Sequence, residues 1–599
     1  MMTAKKADTL WDLSDLYNDP ADPQVEADMA EARQMADDFA TKYRGRVASL
    51  SADEMLAALR ELERIYTLGH KPPSFASLAF SVETQSPELQ NLVSRTRVEW
   101  TQALNTIVFF DVELKAAKDE EFARLLSDPK LADYYHYLKL LRAFAPHTLS
   151  EAEERLFAQM RLTGAAAWSQ LYTEIASGLR FPIEIGGETK ELTDAEVRAL
   201  RSSPDRDVRR RAGEVLLGTY ERNSHVLTYV FNTLFQDHKL TIGLRKYQEP
   251  IEPTAQESEL SPTVIETLMA TTEANYGIAQ DYYRLKAESL GLAGDFRYYD
   301  VLAPYTKEES KYDFGQAQSM VLDAFGRFDG GVRGIAERFF AERWIDATPR
   351  PGKRGGAFCA GLLPAYHPYV MTNFTGRLED VFTVAHELGH GIHFYLARKQ
   401  NVLNFDPTTP MCEIASVFGE ILLADYLRQR DSSPEPQRLV LSNMIEDAVA
   451  TIFRQVMYTR WEQKAHVRRA AGLVPPEEYG SLWMEENGRL YGDAVDFDVL
   501  DRWGWVAIPH FVHYRFYCFS YAFAHLVTFA LYKKYREDGQ GFAPRYVELL
   551  ASGSKDRPEV LLGAMGLDPY DPGFWQRGFD FLRELLDEFR SVMDVTTGK

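Results

Sequence analysis

Residues 386–390 read His-Glu-Leu-Gly-His. Two histidines four apart lie on one face of a helix, so both imidazoles can meet a single metal ion. Glu387 sits beside them, where it can hold and deprotonate a metal-bound water. Zinc lowers the pKa of such a water to about 7, and the carboxylate can then pass the proton to a leaving amine. In a chain of 599 residues with 13 histidines, a chance match arises roughly once in 50 such chains. The bland alternative is a helix with solvated histidines. The run 381–395 contains no proline, and Gly389, which costs helix stability, leaves room for another element close to the metal.

A catalytic zinc site needs a third protein ligand and an open position. Thr409-Pro410 reads as an N-cap followed by proline at the first helical position. The helix that follows carries Glu413 and Glu420 on one face, otherwise apolar with Val417, Ile421 and Ala424. Carboxylates on an apolar stripe need a partner. The metal is one candidate and arginines are another, and periodicity alone leaves both glutamates open as the ligand. His393, one turn past His390, could be a fourth group aimed at the metal. The need for an open position favours a supporting or structural role behind the ligands.

A second window, 509–521, interleaves His510, His513, Tyr514, Tyr517 and Tyr521. Adding water to an amide builds charge on the carbonyl oxygen, and an imidazole or phenol donor stabilises it. An aromatic helix packed in the core is the competing reading. Gly355-Gly356, before Ala357 and Phe358, removes side chains where another backbone could approach, so an extended peptide could add to this edge by main-chain hydrogen bonds. An ordinary turn is the alternative. Lys353, Arg354, Arg377 and Arg515 flank these segments and could meet a peptide carboxylate or simply be solvated.

The elements that must position these groups read as almost entirely helical. Apolar residues recur at three- and four-residue steps over 23–43, 52–66, 87–116, 149–177, 205–240 and 262–290, and again over 378–399, 410–430, 438–468 and 574–592. Strand signals are few. A hairpin is predicted over 179–192 around Gly186-Gly187, and short strands over 296–302, 356–362 and 368–374. The expected division is an N-terminal helical region, 1–190, and a catalytic region, 191–599.

Lys plus Arg is 67 against 88 Asp plus Glu, a net charge of −21, which argues against a general nucleic-acid partner. Only three cysteines occur, so a reduced compartment is the simpler reading. The segment 1–8 starts no secretory signal, and no run approaches the roughly 18 apolar residues of a membrane span. The expected address is the cytoplasm.

Residues 386–393, HELGHGIH, and 413–420, EIASVFGE, resemble the thimet-oligopeptidase-like zinc metallopeptidase family, most of all its oligoendopeptidase F branch. Residues 355–359 resemble that family's glycine-rich substrate strand and 369–374 the strand before the zinc helix. Residues 508–511 with Phe516-Tyr517 resemble its C-terminal substrate loop. The resemblance is strong over about 190–590 and is one of layout only before that. It implies a mainly α, two-lobed zincin-type fold with a deep central channel and a small sheet beside the zinc helix. It assigns one Zn2+ to His386, His390 and Glu413, leaves Glu420 to orient a histidine, and favours His510 and Tyr517 as helpers of the tetrahedral intermediate. Phe519 stands where relatives commonly carry a tyrosine, which leaves Tyr514 and Tyr521 as lesser candidates. The implied activity is endopeptidase action on oligopeptides. A zinc carboxypeptidase of similar shape and a non-catalytic peptide binder are the other readings.

Overall fold

A computed structural model of the chain describes residues 9–305 and 311–597. The segment 1–8, read above for targeting, lies outside them. The chain forms two compact units, each assembled from separated stretches: Met1–Pro146, Ser310–Leu427 and Lys534–Leu567 in the first, and His147–Glu309, Arg428–Lys533 and Asp568–Lys599 in the second. Both are mainly helical.

The first unit opens with three long helices. Pro23–Tyr43 starts on Asp22, whose carboxylate accepts from Gln24 N, with proline at the first turn. Ala52–Val82 starts on a Ser51–Glu54 capping box, and Pro87–Ile107 on Ser86. Their apolar faces close a core around Phe39, Leu59, Leu62, Phe110 and Leu138. Ala52–Val82 runs well past the expected end at 66 and carries Pro72 and Pro73 inside it. The buried Phe75, Ala76 and Leu78 beyond the prolines keep that segment on the core despite the lost backbone donors.

The small sheet of this unit has β3 (Ile345–Asp346), β4 (Phe358–Ala360) and β5 (Tyr369–Met371) in the order β3-β5-β4, so β4 is an edge. β3 runs parallel to β5, pairing Ile345 with Val370. β4 runs antiparallel to it, pairing Phe358 with Met371 and Ala360 with Tyr369. The sequence pattern missed the two-residue β3. Buried Asp346 anchors the sheet: Lys353 Nζ reaches it at 2.7 Å and the Thr372 carbonyl at 2.6 Å, and Arg350 grips it with two bonds of 2.7 and 2.9 Å. Lys353 is therefore a buried structural cation, not a group waiting for a peptide carboxylate.

In the second unit, β1 (Phe181–Ile185) and β2 (Glu188–Leu192) form the predicted hairpin, with both turn glycines at positive φ. The helix Arg206–Leu244 is 39 residues long and packs Phe231 against Trp461 and Trp505. The strand expected over 296–302 is absent: Tyr298–Asp300 is a 3-10 turn, with one isolated bridge from Arg297 to Asp496. Buried Asp300 fixes this turn by accepting from Arg297 N, Arg206 and Arg209. Four expected helices are interrupted, at Val108, Gly164, Asn275 and the π-turn Val449–Phe453.

Candidate metal centre and peptide site

The HELGH segment lies in the helix Leu378–Ala397. Its start is pinned by Asp380, whose carboxylate accepts from Thr375 N, Thr375 Oγ1 and Arg377 N at 2.7, 2.7 and 3.0 Å. The helix Thr409–Arg430 carries Glu413 and Glu420. The two helices touch through glycine. A Cβ on Gly389 would stand 2.4 Å from Ala415 O and 2.5 Å from Ser416 Cα, and one on Gly419 would stand 2.9 Å from Ala385 O. Only residues without side chains allow this approach, and it delivers both glutamates to the histidines.

His386, His390 and Glu413 form the metal-ligating group found among the described residues, with donor atoms within 4.8 Å of one another. Glu413 Oε2 lies 3.4 Å from His386 Nε2 and 3.3 Å from His390 Nε2. Ligands on a regular tetrahedron with bonds of about 2.05 Å are about 3.4 Å apart, so these donors fit a zinc ion. Two imidazoles and a carboxylate, with no thiolate in the set, are also the donor chemistry of catalytic zinc. His386 Nδ1 meets Glu420 Oε1 at 2.5 Å, which fixes the ring and turns Nε2 inward. Ser416 Oγ donates to Glu413 Oε2 at 2.8 Å, and His390 Nδ1 lies 3.8 Å from Cys412 Sγ.

Electrostatics sharpen the roles. Burial opposes ionisation of Glu413, yet His390, His386 and Ser416 hold its carboxyl down to about 2. The direction favours the carboxylate, the form in which this side chain can ligate a metal. Burial pushes Glu387 up, against the pull of both histidines. Its buried carboxyl lies outside the donor group and makes no hydrogen bond among the described residues, so it remains available for a proton. His393 is also outside that group. It is buried, its Nδ1 lacks a hydrogen-bond partner among the described residues, and burial pushes the imidazole down to about 3, which favours its neutral form.

The glycine segment leads into β4. Gly356 adopts φ +81°, and Asn373 Nδ2 donates to the Arg354 and Gly356 carbonyls at 2.9 and 2.8 Å. Gly355, Gly356 and Ala357 thus precede the edge strand, and Phe358 begins it.

The 509–521 residues belong to the second unit. His510 Nε2 lies 3.3 Å from Tyr521 Oη, and its ring stacks on Tyr517. Tyr514 and Tyr517 are neighbours, and Tyr514 is 65% exposed. His513 Nε2 turns to Thr173 Oγ1 at 3.2 Å. Burial lowers the imidazoles of His510 and His513, which favours their neutral forms. Arg515, which could have met a peptide carboxylate or been solvated, is half-buried and reaches the Leu234 carbonyl at 3.5 Å.

One residue that sequence reasoning did not single out holds this loop. Glu462 Oε2 accepts from Phe516 N at 2.9 Å, and Phe516 adopts φ +55°, a left-handed backbone that a bulky residue rarely accepts. Burial pushes the Glu462 carboxyl up to about 8. Nothing in the sequence links positions 54 apart. Ser416, three residues after Glu413, was legible as a helical neighbour.

Residues 199–581 match the family described as Peptidase family M3, and residues 113–181 match Oligopeptidase F. Oligopeptidase PepF of Bacillus subtilis is 24% identical over 594 residues, covering 98% of this chain and 88% of that protein. Two crystal structures share the fold. One, from Chlamydophila abortus, has a TM-score of 0.88 and 24% identity, covering 98% of this chain and 99% of the other. The second, of oligoendopeptidase-F from Enterococcus faecium, has a TM-score of 0.71 and 22% identity, covering 96% and 99%. No helix among the described residues is long and apolar enough to cross a membrane. The family match spans well over half the chain, and it falls on the two crossing helices that carry the histidines and glutamates. The chain belongs to peptidase family M3, in its oligopeptidase F branch, and is a metallo-oligopeptidase.

Proposed function

We propose that this chain is a zinc-dependent endopeptidase that cuts internal bonds of short, unstructured peptides. The observation that carries the reading is the pair of 3.3 and 3.4 Å separations that set His386, His390 and Glu413 at tetrahedral ligand spacing, with Glu387 next to them and outside the set. His386, His390 and Glu413 hold one zinc ion, with Glu420 orienting His386. Bound zinc supplies Lewis acidity, making water acidic at neutral pH and polarising a carbonyl.

Glu387 takes the proton of the attacking water and passes it to the leaving nitrogen. Burial raises its basicity, which suits both transfers. His510 and Tyr517 donate to the carbonyl oxygen as it gains charge, with His513, Tyr514 and Tyr521 as nearby contacts for substrate. The peptide adds to the free edge of β4, guided past Gly355, Gly356, Ala357 and Phe358 by main-chain bonds. Such pairing needs an extended segment, so a folded protein is a poor substrate while many side chains are tolerated. The net charge of −21 disfavours nucleic acid as a partner, and three free cysteines suit a cytoplasmic location.

The test is mass spectrometry of the products from a mixed peptide library, with and without chelator and with zinc restored. Internal cuts that vanish on chelation and return with zinc are expected. A parallel internally quenched peptide with both ends blocked separates the classes. Failure to cut it, with single residues lost from free C-termini, would establish a carboxypeptidase instead, and no turnover by zinc-loaded protein would leave a binding protein.

A further inference from the structure

A cavity of about 680 Å3 opens in the first unit between the helices Ala52–Val82 and Pro87–Ile107 and the strand β4. That volume is within the range of small-molecule pockets. Phe358 and Ala360 line it, while Cys359 between them does not. Alternate strand residues point to opposite faces, so Cys359 faces the other way, where burial first and the charge of Glu387 second push its thiol up. The two faces of β4 therefore differ: one looks to the metal helix and the other to this cavity. β4 is the sheet edge, and a peptide added there repeats the same alternation. Every second side chain, about 7 Å apart along the peptide, falls on the cavity side.

The walls are mainly apolar. Trp100 packs against the helix Ala52–Val82 at Gly69, where a Cβ would stand 2.1 Å from Cζ3. It meets Tyr66 edge-on, with ring centroids 6.0 Å apart. Leu78 and Leu363 are buried in the wall. Tyr66, Trp100 and Phe358 are only partly buried, so aromatic surface is left to cover. The polar pair inside, His70 and Ser74, is satisfied internally at 2.9 Å, and burial lowers the imidazole, keeping it neutral. The charged lining groups, Arg97 and Asp406, are exposed.

We propose that this cavity is a side-chain subsite, taking one bulky apolar or aromatic residue of a peptide laid on β4 and fixing its distance from the cut. The inference rests on the endopeptidase reading above and adds a substrate class to it. Main-chain pairing would admit almost any sequence, and this cavity supplies the selection.

The experiment uses zinc-loaded full-length enzyme and end-blocked quenched peptides that share one cleavable bond. Each flanking position is changed singly from Gly to Phe. One position on the cavity side should raise kcat/KM by about tenfold or more, with smaller gains at its neighbours. Ser77, exposed on the cavity wall, is then changed: Ser77→Trp should fill the space and bring the Phe/Gly ratio at that position near unity. Trp100→Ala, which removes a wall, should lower the same ratio. Because each ratio is taken within one protein, a partly unfolded variant still gives an answer. Efficient cutting with no position favouring Phe, or a ratio unchanged in both variants, overturns the subsite while leaving the endopeptidase reading intact. Failure of the wild type to cut any blocked peptide overturns both.

Discussion

Gly389→Ala tests whether the helix crossing builds the metal site. The added methyl group would stand 2.4 Å from Ala415 O, 2.5 Å from Ser416 Cα and 2.7 Å from Ala415 C. These are backbone atoms, which cannot swing aside as a side chain can. Comfortable contact needs about 3.5 Å, so the helices must part by about 1 Å. Two effects then oppose each other. Replacing a helical glycine by alanine gains about 1 kcal/mol, and overpacking costs about 1–3 kcal/mol, so the fold is destabilised only modestly. Metal binding has no such offset. Glu413 rides on the displaced helix, and metal bonds tolerate about ±0.2 Å, so a 1 Å shift removes it from the coordination. Losing the support of a ligand already costs about 10–100-fold in affinity, so losing the ligand should cost at least 100-fold. The assay is zinc content across a series of buffered free-zinc concentrations, with thermal unfolding of the metal-free protein alongside. Gly488→Ala is the control: nothing lies within 4 Å of its Cβ position, so it should bind zinc normally and melt no lower than wild type. Wild-type zinc affinity in Gly389→Ala, together with an unchanged or higher melting temperature, would refute the crossing argument.

The other tests separate roles within the site. Glu387→Gln should retain zinc and lose about 100-fold or more in turnover; near wild-type cleavage by a zinc-loaded variant removes Glu387 from the chemistry. Glu413→Ala should lose metal outright, whereas Glu420→Ala should weaken it by about 10–100-fold; metal content in the reverse order would exchange their assignments. Glu462→Leu leaves the Phe516 N–H without its acceptor and should lower kcat with zinc content unchanged, and equal kcat in both proteins would show that the 509–521 loop holds itself. The metal-free protein should lose stability in acid through His393. Its folded pKa of about 3 lies below the unfolded value of about 6.5, so its contribution is complete above about 6.5 and declines as pH falls toward 3. Melting temperature against pH should slope less steeply in His393→Gln, and an identical slope would contradict this.

The metal motif was legible because its logic is local. His386, Glu387 and His390 occupy one turn and a fraction of helix, and helical geometry alone sets their relation. Glu413 and Glu420 were legible as a pair on one face, but spacing could not choose between them. The choice needs the crossing at Gly389 and Gly419, which sets Glu413 against Nε2 of both histidines and Glu420 against Nδ1 of one. Helix starts at Pro23, Pro87 and Pro262 followed from apolar periodicity, which acts over a few residues. The apolar pattern expected over 52–66 stops short of a helix that continues through Pro72 and Pro73 to Val82, because burial of Phe75 and Leu78 outweighs two lost backbone bonds. The strand expected over 296–302 failed because buried Asp300, gripped by two arginines from a distant helix, prefers a turn.

The sequence by itself therefore determined the metal-binding chemistry, the helical class and the glycine approach to an edge strand. All three depend on interactions within a few residues. Tertiary structure added the distances that set Glu413 against Nε2 of both histidines and Glu420 against Nδ1 of His386. It also turned Lys353 from an apparent surface cation into the buried partner of Asp346, and gave Phe516 its left-handed turn on Glu462. It opened a cavity on one face of β4 as well. Most of these join groups far apart in the chain, and all of them, the seven-residue span from Asp346 to Lys353 included, depend on burial and on separations that no sequence spacing encodes.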